Sequence, residues 1–144
     1  MVTHIFATPV ALAESEIHKP IEFFEGVATM PTQSESEARK ETNLRAWIDK
    51  LAQKESSGSC TVSIIDTNGK RSTGKFQYQD ATWLGMGKKY NLPTTLENIT
   101  DCEMQEELTY RIISNEPNGW RHWQCSVIGC EKYGITGIGL PPVI

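Results

Sequence analysis

Glu55 is the residue best placed to do chemistry. Leu44, Trp47, Ile48, Leu51 and Ala52 recur at i, i+3, i+4, i+7 and i+8, the spacing of one apolar helix face. One further step along that stripe, i+11 from Leu44, lands on Glu55, so the core-facing side of the helix ends in a carboxyl group. Partial burial disfavours the charged form, and the negative end of the helix dipole acts in the same direction. Both raise the pKa, as a general acid working near neutral pH requires. The plain alternative is a surface Glu at a frayed helix end, and the residues after it decide between the two.

The four cysteines, Cys60, Cys102, Cys125 and Cys130, all lie beyond residue 41. In a small domain they fit two disulfides formed in an oxidising compartment, with three pairings open. Cys125 and Cys130 lie near His122, but no Cys-x-x-Cys pair occurs, so a zinc site is not expected. A Cys125–His122 nucleophile pair also gives way to a structural role for these cysteines.

Several elements must position these groups. Thr42 or Asn43 is the expected N-cap of the Glu55 helix, and Gly58 its left-handed stop. Thr61–Ile65 reads as a strand, Asn68-Gly69 as a hairpin turn and Arg71–Tyr78 as the returning strand. Gly74 within that strand marks a close approach by a ligand or another backbone. Asp80 caps a helix to about Tyr90 that carries Trp83 and Met86. A further helix from Asp101 presents Met104, Leu108 and Ile112 and stops before Pro117. Helix, small hairpin, then more helices is a mainly helical α+β arrangement with a small antiparallel hairpin.

The ordered pair Glu55-Ser-Ser-Gly58 and, 17 residues on, Ser72-Thr-Gly-Lys-Phe-Gln77, with the Asn-Gly turn between and Thr82-Trp83 after, resembles the lysozyme superfamily. Its goose-type lysozymes and soluble lytic transglycosylases are the nearest branches. The similarity spans about residues 44–124. It implies a lysozyme-like domain that cleaves the β-1,4 bond between N-acetylmuramic acid and N-acetylglucosamine, with Glu55 as acid and then base. It further implies substrate contacts from Ser72, Gly74, Phe76, Gln77 and Asn115, peptidoglycan or a related glycan as partner, a monomer, and no cofactor or metal. A catalytically silent glycan- or protein-binding module of the same fold is the alternative.

Three positions depart from the family pattern. Ser72 stands where chicken-type lysozymes carry an Asp, Lys75-Phe76 replaces the commoner Leu-Met, and Ser114 replaces a Tyr at the start of the Asn115–Trp123 segment. A second carboxylate is the usual requirement of hydrolytic glycosidases. The nearest acids, Asp66 and Asp80, read instead as hairpin and N-cap residues. Trp47 belongs to the core stripe, and Trp83 and Trp120 read as packing. Phe76 and Tyr78 alternate to one strand face and Lys75 and Gln77 to the other, so a strand offering both Phe76 and Gln77 to a cleft must twist.

Charge divides the chain. Residues 1–41 hold seven acids and three bases, the whole of the net charge of −4, while the eleven acids and eleven bases that follow cancel. Residues 1–41 therefore read as a leader and acidic flexible linker, and 42–144 as the domain. Phe6–Ala13 is apolar and ends in Ala11-Leu-Ala13 without a basic residue ahead of it, which leaves a signal remnant and a disordered tail both open. With the cysteines it points to an exported protein. The acidic balance argues against nucleic acid as a partner, no run approaches the ~20 apolar residues of a membrane span, and a neutral domain is not steered to an anionic wall by charge.

Overall fold

The computed structural model describes residues 30–143. The first helix, α1, runs Gln33–Ser56 and opens with a capping box between Thr32 and Glu35. It starts ten residues before the expected Thr42/Asn43 cap, so residues 33–41 are helix rather than linker. Thr42 lies inside α1, its Oγ1 donating to Ala38 O. This first stretch has no apolar face and is almost wholly exposed. It is held by good helix formers and i,i+4 pairs such as Arg45–Glu41. The expected leader at 1–13 lies outside the described residues.

From Leu44 onward the apolar stripe is buried, and it forms the floor of the core. At the far end Ser57 (φ 55) and Gly58 (φ 78) are both left-handed, and the Gly58 amide bonds Ala52 O at 3.1 Å. Ser56 Oγ donates to Lys75 O at 2.9 Å, tying the end of the helix to the sheet segment it faces.

The sheet has three antiparallel strands in chain order, β1 Ser63–Ile65, β2 Arg71–Thr73 and β3 Tyr78–Gln79. Ile64 pairs with Ser72, and Ser72 in turn with Gln79. The β1–β2 turn is closed by Gly69 N to Asp66 O at 2.9 Å and Asp66 N to Lys70 O at 2.8 Å. The expected single returning strand is broken at Gly74–Gln77 into a tight turn, with Gly74 at φ 85 and Gln77 at φ 52. The close neighbour marked by Gly74 is the Gln105 side chain, which a Cβ at residue 74 would overlap.

Helices α2 Asp80–Lys89 and α3 Cys102–Asn115 follow, then a 3₁₀ turn at Gly119–Trp123, α4 Gln124–Ile128 and a second 3₁₀ turn at Glu131–Tyr133. Gln79 rather than Asp80 is the N-cap of α2. The chain is thus mainly helical with a small antiparallel sheet, the α+β class expected. Trp47, Phe76, Tyr78, Trp83, Leu108, Ile112, Trp123 and Val127 fill the core. Each buried indole donates: Trp47 Nε1 to Gly139 O at 3.0 Å, Trp83 Nε1 to Thr95 O at 2.8 Å and Trp123 Nε1 to Phe76 O at 2.7 Å. Of the three possible pairings the disulfides are Cys60–Cys102 and Cys125–Cys130.

The bridge between Cys60 and Cys102 joins the sheet side to α3 across a separation of 42 residues. By loop-closure entropy its removal is expected to cost about 4 kcal/mol. The Cys125–Cys130 bridge closes only five residues, and its removal is expected to cost about 2 kcal/mol. Urea midpoints of the paired Cys→Ala variants measure both costs, and equal midpoints would contradict the ranking.

Candidate active site

Glu55 leaves the last turn of α1 half-buried and lines a cavity of about 730 Å³. One wall is the sheet, with Asp66, Ser72, Gln77 and Gln79. The other is the segment around α4, with Arg121, His122, Ser126, Tyr133 and Ile135. The Glu55 carboxyl is held above the ordinary carboxylate value by burial, and the charge of Asp66 adds to the effect. The nearby Ser126 hydroxyl and Lys54 act against it. The result is a carboxyl that keeps its proton to higher pH than an exposed Glu, as the end-of-stripe position implied.

Gln77 is pinned. Its Nε2 donates to Gly74 O at 2.7 Å and to Val62 O at 3.3 Å, while its Oε1 is buried without a partner. An oxygen facing those two carbonyls would be repelled, so the amide orientation is settled, and its cost is an acceptor buried without a donor. The left-handed backbone at Gln77 is a second cost concentrated at the same residue.

The expected site residues divide. Glu55, Ser72 and Gln77 share the cavity. Ser72 is 3% exposed and its hydroxyl is committed to Asp66 Oδ2, so it holds a neighbouring carboxylate. Phe76 is fully buried, stacked edge-on to Trp123 with centroids 6.4 Å apart, and has no surface to offer a sugar. The break at Gly74–Gln77 turns it into the core, where an unbroken strand required a twist. Gly74 is a packing position against Gln105. Asn115 lies in a separate hollow of about 390 Å³ with Trp120 and Pro141, its side chain bonded to Arg111 O at 2.8 Å.

Sequence reasoning weighed Asp66 and read it as a hairpin residue, whereas it lines the cavity; Gln79, Arg121, His122, Tyr133 and Ser126 were missed outright as cavity residues. Ser126 had no local signal, because α4 is brought to Glu55 only by the fold. The segment is closed on itself by the Cys125–Cys130 bridge and by Ile138 N to Ser126 O and Gly139 N to Val127 O, both at 2.9 Å, and Trp47 Nε1 donating to Gly139 O ties it to α1. All four cysteines are bridged, so the Cys125–His122 pair is not a nucleophile.

Comparison with protein-family models, with curated proteins and with solved structures finds no match to this chain.

The Ser126 hydroxyl stabilises the carboxylate over the acid, so its removal raises the Glu55 pKa further. Ser126→Ala is therefore expected to move the alkaline limb of a Glu55-dependent pH–rate profile upward. A limb that stays in place or moves down would show that the contact does not act on the reacting group.

Proposed function

We propose that this protein cleaves the β-1,4 glycosidic bond of peptidoglycan-type glycan strands, with Glu55 as general acid and then base, and that it works as an exported monomer. The observation that carries this reading is a half-buried carboxyl, its pKa raised by desolvation, at the wall of an open cavity rich in hydrogen-bonding side chains. Glu55 would give its proton to the bridging oxygen as the C1–O bond breaks. Its carboxylate would then be free to accept a proton from the group that attacks C1. The two disulfides favour an oxidising compartment. Among the described residues, no helix is long and apolar enough to cross a membrane.

Incubation of the oxidised protein with purified sacculi tests this. Release of soluble muropeptides is the expected result. Binding to sacculi without release would favour a glycan-binding module of the same fold. Among the described residues, Tyr133 and Ile135 form a cavity wall and leave the volume open, which favours cleavage over that alternative.

A further inference from the structure

Asp66 sits at the start of the Asp66-Thr-Asn-Gly69 turn, where an aspartate ordinarily turns its carboxylate onto the amides of its own turn. Here Asn68 does that work, its Oδ1 accepting from Lys70 N at 2.9 Å. The Asp66 carboxylate is aimed across the sheet instead. Its Oδ2 accepts from Ser72 Oγ on β2 and from Gln79 Nε2 on β3 at 2.9 Å. Both donors fall on one oxygen and leave the other for water or a ligand. Ser72 is almost fully buried, and a buried hydroxyl spent on a cavity carboxylate is a device for holding it in one orientation. Asp66 and Glu55 line the same cavity from opposite elements, the sheet and α1.

We propose that Asp66 is the second catalytic carboxylate of this cleft, that it takes over from Glu55 the role of base by activating water, and that it makes the reaction a hydrolysis. The inference rests on the proposed glycan cleavage. Glu55 delivers its proton to the glycosidic oxygen, and the C1–O electron pair leaves with that oxygen as the new 4-hydroxyl. A water oxygen bonds to C1 while its proton passes to the free oxygen of Asp66. Exchange with solvent then returns the proton to Glu55 and removes it from Asp66. Two carboxylates in unlike surroundings, one at an apolar helix end and one in a hydrogen-bonded hairpin, suit the acid and base roles respectively. Without the base, the muramoyl C6 hydroxyl remains as the competing nucleophile. It closes on C1 as a 1,6-anhydro ring and hands its proton to the Glu55 carboxylate.

The test is muropeptide mass spectrometry in H₂¹⁸O with the parent, Asp66→Asn and Ser72→Ala. Asn keeps an oxygen for the Ser72 and Gln79 donors, and thermal melting checks that each variant is folded. The parent is expected to give reducing ends carrying one ¹⁸O. Asp66→Asn should lose at least ~100-fold of that hydrolytic rate, with residual cleavage shifted to anhydro ends one water lighter. Ser72→Ala, which loosens Asp66 while leaving the carboxylate in place, should lose roughly tenfold, the effect of about one hydrogen bond, and serves if Asp66→Asn does not fold. Parent products that are all anhydro, or an unchanged hydrolytic rate in a folded variant, would overturn the role of Asp66 and leave Glu55-dependent cleavage standing. No cleavage by the parent would overturn both.

Discussion

Glu55→Gln is expected to lower glycan cleavage by about 1,000-fold, within the range for loss of a positioned acid, in a protein that remains folded. Glutamine preserves the volume and can still accept from Ser126, but it has no proton to give to a leaving oxygen. Stability supplies the control. Burial raises the Glu55 pKa above its ordinary 4.5, so folding favours the protonated form. That contribution is fully present below the ordinary value and is lost as pH rises through the raised value. The amide does not ionise. The variant should therefore melt above the parent at neutral pH, by about 4 °C if the relief is ~1 kcal/mol, and the two should converge in acid. A variant that loses activity because it has unfolded would show the opposite shift at neutral pH, and equal cleavage by both proteins would remove Glu55 from the mechanism.

The largest effect on the fold is expected from Gly74→Ala. Residue 74 lies at φ 85, a conformation that L side chains rarely adopt, and its Cβ would overlap the Gln105 amide. Gln105 cannot simply step aside. It is fully buried, its Oε1 accepts from Phe76 N at 3.1 Å and its Nε2 donates to Ile99 O. Moving it would strand a buried amide, a carbonyl and the Phe76 N–H in the centre of the molecule. Backbone strain of about 1–3 kcal/mol and two lost buried hydrogen bonds of about 1–3 kcal/mol each together give a cost of roughly 3–9 kcal/mol, comparable with the whole stability of a small domain. A urea midpoint within experimental error of the parent would mean that the turn can relax around a methyl group. Cavity residues Ser72 and Gln77 flank this turn, so a partially folded Gly74→Ala protein should also lose glycan cleavage.

Much of this architecture is written in the order of residue types. The stripe from Leu44 to Ala52 is periodic enough to give both the helix and the placement of Glu55 at its end. Asn68-Gly69 specifies the hairpin turn because both residues suit tight backbone, and Gly69 does take a positive φ of 76. The first third of α1 is hidden from a periodicity argument because solvated helix has no apolar face to repeat. The break between β2 and β3 is hidden for a different reason. Gly74 reads as a weak point in a strand, while the residue that forces the turn, Gln105, lies on α3. Nothing about Gln77 announces a left-handed backbone. That break decides which side chains reach the cavity, so the Phe76 expectation failed together with the strand.

The second carboxylate shows the same limit at the site itself. An aspartate before Asn-Gly is an ordinary hairpin residue by local chemistry. It becomes a cavity residue only through register, which sets Ser72 beside Gln79 and turns both toward it. Ser126 needs a longer chain of causes, since residues 125–139 must close on themselves and dock on α1 through Gly139 and Trp47 before its hydroxyl can approach Glu55. Local pattern specifies the acid, and tertiary packing specifies what surrounds it.

The pH dependence of glycan cleavage, measured on the sample in which the Glu55 carboxyl carbon is titrated by ¹³C NMR, tests the central claim most directly. The account predicts a falling alkaline limb that coincides with the Glu55 titration, both above the ordinary carboxylate value. A Glu55 that titrates as an exposed carboxylate, or a cleavage rate that runs flat through its titration, would contradict it.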